Sequence, residues 1–376
     1  MAAAPPRETG FELKEVHRAG AFLDLQRQFY RDDPDYVPPV TLAEKWQVDR
    51  RKNPFFAHAD VGLFALYQGG RLVGRVSTSR DRLHDEFHGD RVGFFGHFEA
   101  DSEDAARFLV EHAASWCQAR GAEALRGPVD LSTNYRCGLL LDGPPGPPCM
   151  MMPHNPRHYA DWLQAAGLGK AKDLLAWTVD QNTIDYDKLS RIAARLQKRA
   201  EATLRPMNLR RFAPEAAILW DLYHRIWERN WGFVPMSKDE FLRHATDLKS
   251  VGRAEFLTIA EVRGQPVGFV AALPDTNVGA KACNGRLLPL GWWKFLQAMK
   301  TVRHLRVLTL GVLPEWRNLG LEMLLIHSVV ANGRQYGMDS CEASWILEDN
   351  RAMLGPLETL GFQPFRRYRI YERPLR

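Results

Sequence analysis

Apolar positions in the second half of the chain change period in the order strand, turn, helix, strand. Val307, Leu308, Thr309, Leu310, Gly311, Val312 and Leu313 form a β-rich run, which Pro314 closes because proline cannot donate the next ladder hydrogen bond. After Glu315 and Trp316, the stretch Arg317-Asn318-Leu319-Gly320 leads into Leu321, Leu324, Leu325, Ser328 and Val329 at helical spacing. Past Gly337 a second strand is predicted from Cys341 to Leu347, and Asn350 opens another helical piece that ends in Leu360-Gly361-Phe362. The first turn therefore opens on a helix N-terminus, where unpaired N–H groups and the positive end of the helix dipole favour a phosphate. Gly320 would let that phosphate approach the backbone.

In order and spacing, Arg317, Gly320, Asn350 and the Leu360-Gly361-Phe362 turn match the pattern of the GNAT superfamily of acyl-thioester-dependent N-acyltransferases, which the chain resembles here. The resemblance implies a mixed α/β (α+β) sheet, an acyl-CoA or acyl-carrier protein as donor, and an amine acceptor. It further implies that Val312 and Leu313 hold the pantetheine arm through their backbone. Arg317, Asn318, Leu319, Gly320 and Leu321 would cradle the phosphate, and Asn350 would complete the donor site. Two positions depart from the family pattern. Glu322 stands where Gly or Ala is usual, and Leu357 where a Tyr is frequent. Glu322 opposes a diphosphate, so the single phosphate diester of a carrier protein's phosphopantetheine suits this cradle better than coenzyme A.

The first half repeats the pattern. Gly70-Arg71-Leu72-Val73-Gly74-Arg75-Val76 and Gly264-Gln265-Pro266-Val267-Gly268-Phe269-Val270 share a hairpin signature, followed by the pairs Gly121 and Gly337, Asn134 and Asn350, Gly167 and Gly361. The offset is 194 at the hairpins, 216 at the next two pairs and 194 again at the last, which predicts tandem GNAT-like domains with compensating insertions. Residues 1–180 are expected to form the first domain and 181–205 a basic amphipathic linker helix. That helix has Leu189, Ile192, Leu196 and Ala200 on one stripe and Lys188, Arg191, Arg195 and Arg199 beside it. Residues 206–376 would form the second domain, with an amphipathic insertion over 271–306. The first half's insertion, from Tyr135 to about Tyr159, is a Pro- and Met-rich loop. Opposite the cradle, the first half carries Glu99, Asp101, Ser102, Glu103 and Asp104, an acidic run that suits helix capping and repels phosphate. The first copy is therefore expected to be degenerate, with catalysis in the second.

Composition narrows the partners. A chain of 376 residues with 45% hydrophobic content can bury a core for two domains. A net charge of +5, from 50 basic and 45 acidic residues, is too mild to argue for nucleic acid and is compatible with acidic carrier proteins or anionic lipid. Cys117, Cys137, Cys149, Cys283 and Cys341 are scattered and odd in number, so reduced thiols and no metal are expected. Met1 to Arg7 has no signal-type stretch, and no run approaches the roughly 18 apolar residues of a spanning helix, so cytoplasmic residence is expected, with any membrane contact at the inner face.

An amine attacks a thioester only when neutral, so the site must take up its proton. Glu342, within the second strand, and Glu348, just before Asn350, are the candidate bases; Tyr368 is the candidate acid, with Tyr371 its alternative. Glu348 and Asp349 also suit a helix cap. Tyr223, Trp227, Asn230, Trp231, Gly232, Phe233 and Pro235 form an aromatic run broken by turn residues. The resemblance places the acceptor there, on Trp227, Asn230, Trp231 and Phe233, whereas an aromatic core corner is the structural alternative. In the later insertion, Trp292, Phe295, Leu296, Met299 and Val302 share a helical face, rimmed by Lys294, Lys300, Arg303 and Arg306. Trp292, Trp293 and Phe295 are accordingly expected to meet lipid headgroups, or else to pack on the first domain. The two-copy layout and apolar insertions are similar to bacterial ceramide synthase-type acyltransferases, which implies acyl transfer to a sphingoid-base amine. A small-molecule or aminoacyl acetyltransferase, and a non-catalytic acyl-thioester or lipid-binding protein, are the rival readings.

Overall fold

Strand runs and capped helices follow one another in the same order twice along the chain. The structure is a computed structural model that describes residues 10–375, so the segment Met1 to Arg7 lies outside the described residues. The first half comprises β1 (Phe11–Glu15), α1 (Ala19–Asp24), α2 (Gln26–Phe29), α3 (Thr41–Glu44), β2 (Ala59–Gln68), β3 (Arg71–Asp81), α4 (Arg82–His88), β4 (Val92–Ala100), α5 (Glu103–Gln118), β5 (Ala124–Gly127), β6 (Leu139–Asp142), α6 (Tyr159–Ala165) and β7 (Gly169–Asp180). The second half comprises α7 (Tyr186–Ala200), β8 (Ala202–Pro206), α8 (Phe212–Trp227), α9 (Lys238–Lys249), β9 (Leu257–Val262), β10 (Gln265–Pro274), α10 (Asn277–Ala282), α11 (Gly291–Met299), β11 (His304–Val312), α12 (Leu321–Gln335), β12 (Ser340–Leu347), α13 (Arg351–Thr359) and β13 (Gln363–Pro374).

All strands join one mixed sheet in the order β1-β2-β3-β4-β5-β13-β7-β12-β11-β10-β9-β8, with β6 also paired to β13. The order reads as two mirrored copies that have exchanged their last strands. β13 pairs with β5 (Tyr371↔Gly127) and with β7 (Tyr368↔Leu174), and β7 pairs in turn with β12 (Cys341↔Val179). Two pairs are parallel, β4–β5 and β11–β12, and in both the strands part after a few residues.

The two gaps left by this divergence differ. In the first half the chain fills its own gap: Val129 N–H donates to Phe95 O at 2.7 Å, and the Asp130 carboxylate accepts from His97 N–H at 2.6 Å. In the second half β11 pairs with β12 only from His304 to Val307, so Leu308 to Val312 have no ladder partner on that side. The first-half helix α5 opens with Ser102 accepting from Ala105 N–H and with Glu103 and Asp104 in its first turn. Glu99 does not belong to this cap. It is buried in β4 and accepts from Tyr30 Oη at 2.7 Å and Gln26 Nε2 at 2.8 Å, with Arg75 at 3.6 Å.

Helix α7, in the expected linker, is capped by Asp185 and buries Leu189, Ala193 and Ala200, while Ile192 and Leu196 of the predicted stripe are half-buried. It ends at Ala200, short of the expected residue 205. Glu201 turns left-handed at φ 50°, and Ala202 to Pro206 become an edge strand on β9. α7 packs along α12, where Leu196 lies over Gly320: a Cβ at Gly320 would sit 2.8 Å from the Leu196 side chain, and its φ is +77°. The glycine is thus demanded by helix packing and backbone angle together.

A buried cluster of charges around His58 joins the halves. His58 Nδ1 lies 2.8 Å from Asp81, and Nε2 lies 3.6 Å from Glu240 on α9, which also accepts from Tyr135 Oη. Burial acts to lower the imidazole pKa, but the two carboxylates overcome it and raise the value to about 9. A folded-state pKa above the unfolded one stabilises the protein fully below about pH 6.5 and loses that contribution as pH rises through about 9. Urea midpoints should therefore fall from pH 6.5 to 9 more steeply in the wild type than in His58→Gln, and parallel curves would rule this linkage out.

Gly320→Val should cost roughly 1–3 kcal/mol for the backbone angle and a similar amount for overpacking against Leu196. In urea melts, Leu196→Ala in the same chain should restore the packing part. A Gly320→Val protein that melts like the wild type would show that α7 does not press on this glycine.

Candidate functional site

The turn between β11 and α12 alternates backbone handedness, with Asn318 at φ 70° and Gly320 at φ 77°. Among the described residues, the N–H groups of Asn318, Leu319, Gly320, Leu321 and Glu322 have no intramolecular acceptor, and the turn is closed instead through Met323 and Leu324 donating to Gly320 O. Consecutive free N–H groups at a helix N-terminus form a concavity suited to a phosphate. The side chains around it do structural work. Leu321 is fully buried and Leu319 packs on the second-half core. Arg317 Nε and Nη2 donate to Val312 O and Ile226 O, each at 3.2 Å, which ties the turn to β11 and α8 and leaves Nη1 without a partner among the described residues. Val312 and Leu313 are buried beside the gap, and Leu313 N–H is already spent on Val267 O. Asn350 caps α13 by accepting from Met353 N–H at 3.3 Å.

Beneath the gap, between the sheet and α12 and α13, lies a narrow cavity lined almost wholly by carbon, including Val307, Leu310, Ile326, Val329, Ala343 and Leu357. The sequence marked Leu357 only as a missing hydroxyl. Here it is a wall.

Strand alternation sends Glu342 and Ser344 to the opposite face, where the first half covers them. Glu342 is 2% exposed and accepts from Ser344 Oγ at 2.5 Å. Arg306 holds the cluster closed, donating to Ser344 Oγ and O at 3.0 Å and to Met150 O of the Pro- and Met-rich loop. Tyr368, on β13, is fully buried, and its hydroxyl has no partner among the described residues. Burial and then the nearby Glu342 carboxylate push its pKa well up. The exchanged strand therefore brings Tyr368, the candidate acid, within electrostatic reach of Glu342, a candidate base, with no hydrogen bond between them. The third, Glu348, stands apart on the rim, held by Lys170 Nζ at 2.6 Å and by Asp173 N–H at 3.1 Å. Tyr371 belongs to the first-half core.

Sequence reading missed two neighbours of Glu342. Cys149, from the first-half loop, and His304, at the start of β11, place ligand-type atoms within 4.8 Å of the Glu342 carboxylate and of each other, a set that could hold a cation. Burial lowers the His304 pKa against the opposing pull of Asp275 and Glu342, and burial raises that of the Cys149 thiol. Positions this far apart in sequence carry no spacing signal.

The aromatic run divides. Trp227 packs on Gly311 and Phe269, and Phe233 is buried against Phe87 and Tyr223, forming the core corner. Asn230 and Trp231 instead line a polar cavity of about 380 Å³ with Asp90, Arg126 and Glu228. Trp231 lies under the cations of Arg126 and Lys172, and Lys172 bonds Asp349. Of the residues expected at lipid, Trp292 and Trp293 are exposed and Phe295 turns inward onto Gly279.

No protein-family model matches the chain. It is 34% identical over 363 residues to protein YghO of Escherichia coli, covering 94% of this chain and 92% of that protein. It is 32% identical over 378 residues to bacterial ceramide synthase of Caulobacter vibrioides, covering 98% and 97% respectively. Among solved structures, a tandem GNAT protein from the clavulanic acid biosynthesis pathway superposes with a TM-score of 0.59 at 14% identity, over 97% of this chain and 99% of that one. Full-length similarity to the two relatives shows that this chain belongs to the family of YghO and bacterial ceramide synthase, and the mirrored sheet with its open gap before a helix N-terminus gives it the tandem GNAT fold.

Proposed function

We propose that the protein moves an acyl group from an acyl thioester, carried by coenzyme A or an acyl-carrier protein, to the primary amine of a long-chain, sphingoid-type base, giving a ceramide-type amide in the cytoplasm. The observation that carries the reading is the buried Glu342 carboxylate, whose charge reaches the buried Tyr368 hydroxyl, on the strand that pairs with β11 just before the β11 edge becomes unpaired. The thioester would lie in the gap with its phosphate on the N–H groups of Asn318 to Glu322. Glu342, directly or through water, takes a proton from the amine as nitrogen bonds to the carbonyl carbon. The carbon–sulfur bond then breaks and Tyr368 protonates the leaving thiolate. Glu322 in the first turn of α12 favours a donor with a single phosphate.

Full-length similarity to a protein named for ceramide synthesis supports the lipid-like acceptor. The polar cavity beside Asn230 favours a second reading, because Asp90 and Glu228 on its wall suit a compact cationic amine.

Amide formation read by mass spectrometry, with acyl-CoA and acyl-carrier protein donors against sphinganine and a short soluble amine, separates these outcomes. Glu342→Gln should lower turnover by ~10²–10⁴, with the deficit shrinking as rising pH deprotonates the amine unaided. Glu348→Gln, whose carboxylate is already ion-paired, and Glu103→Gln in the first half should stay within a few-fold. Full activity of Glu342→Gln on both amines would remove this carboxylate from the mechanism.

A further inference from the structure

The stretch from Thr276 to Arg303 contains no Asp or Glu and five cations: Lys281, Arg286, Lys294, Lys300 and Arg303. It also carries most of the large apolar side chains that the described surface exposes. Leu288 is 72% exposed, Leu290 68%, Trp293 54%, Leu296 52% and Trp292 49%, with Val278 at 38%. These belong to α10, α11 and the loop joining them. Clustered exposure of this kind marks an interaction surface.

The hairpin is firmly mounted. Phe295 fills the space left by Gly279, Val302 is buried, Arg27 Nη1 donates to Asn284 O at 2.9 Å, and Gly285 lies against the carbonyls of Pro38 and Pro39. The inward face is thus spent on the protein itself. Trp292, Trp293 and Leu296 point the other way, preceded by Leu288 and Leu290, with Arg286 and Lys294 lacking protein partners among the described residues.

We propose that this hairpin docks the protein on an anionic lipid bilayer. Exposed indoles suit the headgroup boundary, a basic surface without acids complements anionic lipid, and no described helix is long and apolar enough to cross a membrane, so attachment would be peripheral. The patch also adjoins the covered carboxylate. Asp275, just before α10, accepts from Met150 N–H at 2.9 Å, Asn277 donates to Pro148 O, and the neighbouring Cys149 reaches Glu342. A long-chain amine held in the bilayer would enter under this loop. That last step rests on the proposed acyl transfer, whereas docking does not.

The test is co-sedimentation of the full chain with phosphatidylcholine vesicles, with and without phosphatidylglycerol, and ultracentrifugation without lipid. The wild type should sediment with the anionic vesicles and progressively less as salt rises. Trp292→Ser with Trp293→Ser should weaken partition at least tenfold without lowering the melting temperature, since both side chains are exposed. Arg286→Glu with Lys294→Glu should remove the preference for phosphatidylglycerol. A wild type that never sediments, or tryptophan variants that sediment unchanged, would overturn docking. So would a wild-type dimer that the tryptophan changes convert to monomer without any vesicle binding, which would assign the patch to a second copy. Vesicle binding by a protein that forms no amide would leave docking standing and dismiss the proposed reaction.

Discussion

Because β13 lies between β5 and β7, the backbone bonds that close the first half's sheet come from the last residues of the chain, and β7 returns the exchange by pairing with β12. Each half presents an unpaired edge until the other arrives, and an unpaired edge is costly to leave exposed. The exchange also sets which buried groups are neighbours. Tyr368 feels the Glu342 carboxylate only because its strand has crossed over, and the loop bearing Cys149 and Met150 covers Glu342 only because the two sheets are one.

The copies diverge at the point where their parallel strands separate. Val129 and Asp130 satisfy the exposed edge of β4, and Glu103 and Asp104 occupy the first turn of the following helix. In the second half the corresponding edge stays unpaired and opens on the free N–H groups of Asn318 to Glu322. One gap has become structure and the other has stayed a slot. Glu99, in a buried network with Tyr30 and Arg75, gives the first half a polar interior of its own.

Much of this was legible in the sequence where it depends on local order. The run from Val307 to Pro314, the turn to Gly320, the helix after it and the strand through Leu347 appear as their periods predict, and the repeat of glycines revealed two copies. Non-local pairing left no such trace, so the exchange of β7 and β13 was unreadable. So was the meeting of Cys149, His304 and Glu342. Periodicity gave the apolar face of α11 without its partner: Phe295 and Val302 turned inward while Trp292 and Leu296 stayed outside. Gly320 matched the family position, yet Leu196, distant in sequence, supplies a packing reason for it.

The most direct measurement is an experimental structure of the full chain with a non-hydrolysable acyl-thioester analogue. Its pantetheine should lie between β11 and β12, its phosphate on the N–H groups of Asn318 to Glu322, and its acyl carbonyl on the side of Glu342 and Tyr368. A ligand seated between β4 and β5, or one that leaves the β11–β12 gap empty while occupying another surface, would contradict the assignment of chemistry to the second half.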